Sequence, residues 1–170
     1  MTTNTDDPAT SMLLAEYAAL RQEMTMRLEM QHQILAVALV AVGTFIQFGN
    51  STSILFYPIL GLFLASAWAE DGLRIRRTAA YIKDGIEERL LPPGEGWQHV
   101  NARFAVGRGG GLSHLTARGI FVGTQLTAIV VALLKTVWTE LDIGLLVVNV
   151  PVLYITISML RHQPVTLPKP

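Results

Sequence analysis

Few side chains in this sequence are equipped for catalysis, and their spacing argues against an enzyme. There is no cysteine, so a disulfide, a thiolate metal site and a thiol nucleophile are all excluded. The histidines, His32, His99, His114 and His162, show no HxxxH or HExxH spacing that would set two imidazoles on one side of a helix. No metal site is therefore expected. No Ser–His–Asp arrangement is legible, because the acids fall in stretches that read as solvated helical faces. The run "GRGGG", Gly107 to Gly111, has Arg108, Ser113, Thr116 and Arg118 close by, as a phosphate cradle would. It lacks the GxxxxGK[ST] pattern and follows no strand, so a flexible linker is the better reading. The sequence implies no cofactor and reads as a non-enzyme.

Two other sets of polar residues invite a binding or conducting role. Arg74, Arg76, Arg77 and Lys83 lie in "GLRIRRTAAYIKDGIEERLLPP", residues 72–93, with Arg103, Arg108 and Arg118 beyond. They are the one dense group of positive charge, and are the candidate receptor for an anionic signal such as a nucleotide or oligonucleotide. Net charge is zero, so binding to duplex DNA is not expected. The second set is uncharged and sits in apolar surroundings: Thr44, Gln47, Ser66, Thr124, Gln125, Thr127, Asn149 and Thr156. Hydrogen bonds between helices account for most of them. Thr44, Gln47, Thr124, Gln125 and Asn149 are the candidate lining of a water-filled path, should several chains assemble. Pro58 and Pro151 would loosen helices locally, as gated proteins often require.

What must position these residues is a membrane. Only 15% of residues are charged, against a usual share of about 25%. From Met30 to Ala69 there is no Asp, Glu, Lys or Arg. That length suits two spans joined by a turn, since a helix needs about 20 residues to cross the hydrocarbon. "GNSTS", Gly49 to Ser53, supplies the turn. Two more uncharged runs flank "KTVWTELD". The fold class is therefore all-α and polytopic, with transmembrane helices at 31–49, 53–70, 117–135 and 141–160. Residues 1–10 read as a disordered tail, 92–116 as a linker in which Ser113 caps the third span, and 161–170 as a second tail. Tyr57, Trp68 and Trp138 fit interfacial aromatic belts.

With both termini cytoplasmic, residues 1–30, 70–118 and 161–170 carry two, eight and two Lys/Arg, and the external turns carry only Lys135. This is the positive-inside pattern of a bacterial inner-membrane protein. The segments flanking the first two spans are also amphipathic. Ile75, Ala79, Ile82, Ile86 and Leu90 share one side, opposite Arg77, Asp84 and Glu88. Leu13, Tyr17, Leu20, Met24 and Leu28 repeat that spacing before the first span. Residues 11–91 are thus expected to form two long helices whose cytosolic ends pair as an antiparallel hairpin, with Trp97 packed against it, ended by "LPPGEGW".

The EYxxLRxE opening (Glu16, Tyr17, Leu20, Arg21, Glu23), the RI…YIxxxIE run (Arg74 to Glu87) and the following Gly96-Trp97 resemble a group of small bacterial integral membrane proteins. The likeness covers about the first 100 residues and implies no activity. The layout is also similar to small membrane effectors of bacterial anti-phage systems, in which an oligomer with cytosolic helices disrupts the inner membrane after sensing a nucleotide signal. That similarity implies a homo-oligomeric effector or ion channel, because four spans are too few to enclose a wide pore. The competing expectation is a non-conducting anchor whose cytosolic helices dock a protein partner.

Overall fold

The computed structural model describes residues 8–92, 95–97, 100, 110–135 and 138–161, with side chains of 110–115 excepted. Among them there is no strand. Helix α1 runs Pro8–Phe48 and α2 runs Ser51–Tyr81. A π-helical stretch, Ile82–Glu87, and a last turn, Glu88–Leu90, continue α2. Helix α3 spans Gly110–Leu133 and α4 spans Glu140–Arg161. Four helices are long and apolar enough to cross a membrane: Pro8–Phe48, Ser51–Leu90, Thr116–Leu133 and Glu140–Arg161. Helix α1 begins three residues before Ser11, and α3 takes in Ser113, which the sequence assigns as its cap.

The turns follow from their residues. Asn50 follows α1, and its Oδ1 accepts the Ser53 N–H at 2.9 Å, capping α2. At the start of α4, Asp142 Oδ2 accepts the Thr139 N–H at 2.8 Å while Thr139 Oγ1 accepts the Asp142 N–H. This reciprocal pair satisfies two helix-terminal donors.

The chain divides into two compact units. One contains residues 1–30 and 72–110, the other residues 31–71 and 111–164. The second unit packs the apolar parts of all four helices. Its buried faces keep the three and four spacing of helices packed side by side: Ala117, Phe121, Gln125, Ala128 and Ala132 on α3, and Leu145, Asn149, Val152, Thr156 and Leu160 on α4. Helix α2 contributes Gly61, Ala65 and Ala69, one turn apart, whose small side chains let neighbouring backbones approach. Two aromatic residues expected at the membrane interfaces are core residues instead. Tyr57 is fully buried and donates its O–H to the Ala38 carbonyl at 3.0 Å. Trp68 is buried against Phe121, ring centroids 6.1 Å apart. Both rings face neighbouring helices rather than lipid, and inward rotation, not depth, decides their role.

In the first unit, Tyr81 near the end of α2 donates to Glu16 of α1, and Thr10 and Leu14 line one pocket with Leu90 and Leu91. Ile82 and Ile86 are fully buried, and Arg77, Asp84 and Glu88 are exposed, as the sequence pattern requires. Leu13, Tyr17, Leu20 and Met24 are half-buried, whereas Leu28 is exposed.

Candidate functional site

A pocket of about 310 Å³ lies in the first unit, lined by Thr10, Leu14, Tyr17, Ile86, Glu87, Leu90 and Leu91. Its size falls at the lower end of small-molecule sites. The amphipathic start of α1 supplies one wall. The π-helical stretch supplies the other, and this wider turn brings Ile82, Ile86 and Glu87 to the buried side together. Insertions of this kind often mark functional positions. Walls of leucine, isoleucine and tyrosine make the pocket apolar, with the Glu87 carboxylate as its charged group.

Residues beside the pocket hold it together. Glu87 is 3% exposed, and Gly96 lies so close that a Cβ there would overlap its carboxylate. Only glycine permits that approach. The next residue, Trp97, lies under the Arg21 guanidinium, which sits 3.9 Å from its ring centroid and 5.5 Å from that of Tyr17. A cation between two aromatic faces gains about 0.5–1 kcal/mol per contact at half-exposed sites. Tyr81 donates its O–H to Glu16 Oε1 at 2.9 Å. That hydrogen bond, and the carboxylate charge behind it, push the Tyr81 phenol above its ordinary pKa. Glu23 pairs with Arg27 at 2.6 Å.

These contacts join residues far apart in the sequence: Glu16 meets Tyr81, Arg21 meets Trp97, and Glu87 meets Gly96.

Arg74, Arg76, Arg77, Lys83 and Arg118 are not among the described residues that line the pocket. Arg74 and Arg77 are exposed on α2, and Arg76 is half-buried. Lys83 Nζ lies 3.6 Å from Asp84. Arg118 is half-buried in the second unit. Arg103 and Arg108 lie outside the described residues, as do residues 1–7, 101–109 and 162–170 of the tails and linker.

The polar residues of the spans also part company. Gln125 is fully buried and donates through Nε2 to Thr156 Oγ1 at 3.2 Å. Asn149, equally buried, donates through Nδ2 to the Leu55 carbonyl at 3.0 Å. Leu55 lies in the turn before Pro58, where the missing N–H disturbs the helical ladder. Both amides therefore join helices inside one chain. Their amide oxygens, Gln125 Oε1 and Asn149 Oδ1, accept no hydrogen bond among the described residues. Thr124 is half-buried and donates to the Phe121 carbonyl. Thr44 and Gln47 lie on the exposed side of α1, with the Thr44 hydroxyl returned to the Val40 carbonyl. The five candidate pore residues thus fall into an inner set and an outer set.

Sequence reasoning passed over Asp142 and Glu87. Asp142 is 1% exposed, and its Oδ1 accepts the Thr52 hydroxyl at 2.6 Å, tying the start of α2 to that of α4. The T-x-x-D spacing at Thr139 was the available signal for Asp142. Nothing local marks Glu87, whose burial depends on Gly96. Among the described residues no cluster of acids or histidines has the makings of a metal site.

The chain is thus an all-helical protein, with four helices long and apolar enough to span a membrane and a pocket in its first unit. No family model matches it, and neither does any curated protein or solved structure.

Proposed function

We propose that this is an oligomeric, signal-responsive protein of the bacterial inner membrane, with the first unit as its cytosolic receptor and the spans as its effector. The reading rests on the pocket. Its two walls belong to α1 and α2, the same helices that continue as apolar spans. A ligand that favours one packing of those walls would bias the spans by its differential affinity. The exposed guanidinium groups of Arg74 and Arg77 would attract an anionic nucleotide or oligonucleotide, and the pocket would take up a flat apolar part of it. The inner amides join helices within one chain, so conduction would run between chains, past the outer set, Thr44 and Gln47. Selectivity among small ions would be poor because no charge lines that path. Membrane disruption on signal would serve anti-phage defence, as the architectural likeness implies.

The second reading, a docking platform, draws on the half-exposed Leu14, Leu91 and Trp97 around the pocket. Liposome flux separates the two. Protein reconstituted with an ion-sensitive dye should release ions when cyclic or linear oligonucleotides are added, and Leu14→Trp, which fills the pocket, should abolish the response. Liposomes that stay sealed with every such signal would favour docking.

A further inference from the structure

Arg21 stands at the edge of the pocket in the first unit. Its guanidinium carbon lies 5.5 Å from the ring centroid of Tyr17, which lines the cavity, and 3.9 Å from that of Trp97. Stacking engages the faces of a guanidinium and leaves its N–H groups in the plane, oriented and able to donate. Arg21 is half-buried, and among the described residues no carboxylate pairs with it. The other described cations of this unit differ. Arg27 pairs with Glu23, Lys83 lies 3.6 Å from Asp84, Arg74 and Arg76 have partners of their own, and Arg77 and Arg89 are exposed. A half-buried, preorganised guanidinium without an anion is suited to bidentate contact with a phosphate.

Glu87 brings the opposite chemistry to the same pocket. It is buried, it lines the cavity, and a carboxylate accepts hydrogen bonds. It has a partner already, but its two oxygens offer about four lone-pair positions, so further donors can be accepted. One dipeptide touches both charged groups: Gly96 packs against the Glu87 carboxylate, and Trp97 against the Arg21 guanidinium. Leu14, Ile86, Leu90 and Leu91 supply apolar wall. The occupant this suits is a flat, largely apolar group that donates at one edge and carries an anion at another.

We infer that the pocket takes a guanine nucleotide, with its base edge on Glu87 and its phosphate on Arg21. The inference rests on the signal-receptor reading above, and it names the base and the residue that holds the phosphate. Guanine alone among the common bases sets two N–H donors side by side, on N1 and the exocyclic amine, and a carboxylate accepts such a pair. Adenine and cytosine place a ring-nitrogen acceptor beside their amine, and uracil flanks its N–H with two carbonyls. Each of these would set a lone pair against the carboxylate.

Calorimetry on the full chain in detergent tests this with guanosine monophosphate, guanosine and adenosine monophosphate as probes. Guanosine monophosphate should bind about tenfold or more tightly than either of the others, the factor expected for a hydrogen bond to a charged group. Arg21→Ala should weaken the monophosphate by about tenfold and leave guanosine unchanged, so retained guanosine binding reports an intact pocket. Arg21→Lys keeps the charge but not the planar fork. It should lose affinity for the monophosphate alone, and it carries the comparison if Arg21→Ala unfolds the unit. Glu87→Gln should level the two monophosphates. Arg27→Ala, whose guanidinium is committed to Glu23, should bind as the natural chain does. No binding of guanosine monophosphate at millimolar concentration, equal binding of adenosine monophosphate, or equal loss of guanosine and its monophosphate in both Arg21 variants would each overturn the site. Binding is read without ion flux. A protein that binds guanosine monophosphate yet stays sealed with every oligonucleotide would refute the effector and leave the site standing. Oligonucleotide-triggered leakage unaltered by Arg21→Ala would sink the site and leave the effector standing.

Discussion

Replacing Gly61 with alanine should destabilise the four-helix unit, although alanine is the better helix former. Gly61 is buried on α2, where a Cβ would lie 2.9 Å from Gln125 Nε2 and 3.1 Å from its Cγ. Gln125 is fully buried, so its side chain has little room to retreat, and moving it breaks the 3.2 Å hydrogen bond to Thr156. Overpacking costs about 1–3 kcal/mol. The lost interhelical hydrogen bond adds about 0.6 kcal/mol. Helix propensity returns about 1 kcal/mol. The net loss is about 0.5–2.5 kcal/mol, measurable as unfolding free energy in mixed micelles titrated with SDS. The same substitution in a Gln125→Ala background should be neutral or stabilising by up to about 1 kcal/mol, because the obstructing side chain is gone. Equal stabilisation by Gly61→Ala in both backgrounds would refute the packing of Gly61 against Gln125.

Ile82→Asp with Ile86→Asp should unfold the first unit, because two fully buried positions would acquire unpaired charge. Arg77→Ala and Glu88→Ala, both at exposed positions, should leave protease resistance unchanged. Gly96→Ala should expose the pocket region to hydrogen exchange, since its Cβ would displace the Glu87 carboxylate. Thr139→Ala should lower the thermal midpoint by the loss of a cap, roughly 0.5–2 kcal/mol, and by release of Asp142.

The four apolar helices were legible because absence of charge over a stretch such as Met30 to Ala69 is a signal that survives any packing. The burial of Ile82 and Ile86 opposite Arg77 and Glu88 was equally legible from their spacing. Other features depended on partners remote in sequence. Residue type placed Tyr57 and Trp68 near interfaces, but the Ala38 carbonyl and the Phe121 ring draw them inward. Of the candidate pocket, Tyr17, Ile86 and Leu90 were legible as members of the apolar stripes. Its buried acid, Glu87, was not, because its burial depends on a glycine nine residues away. The arginines stood out in sequence by their charge, and charge alone is a poor guide to a cavity: Arg74 and Arg77 are exposed on α2.

We propose that the pocketed unit lies in the cytosol, on two helices that cross the membrane. Single cysteines at Asn50 and Lys135, both exposed in the turns after α1 and α3, test it in intact cells alongside cysteines at Ala19 and Glu88. A membrane-impermeant maleimide should label Asn50→Cys and Lys135→Cys from outside, and should reach Ala19→Cys and Glu88→Cys only after permeabilisation. Labelling at Glu88 in intact cells would place the pocket outside and contradict the account.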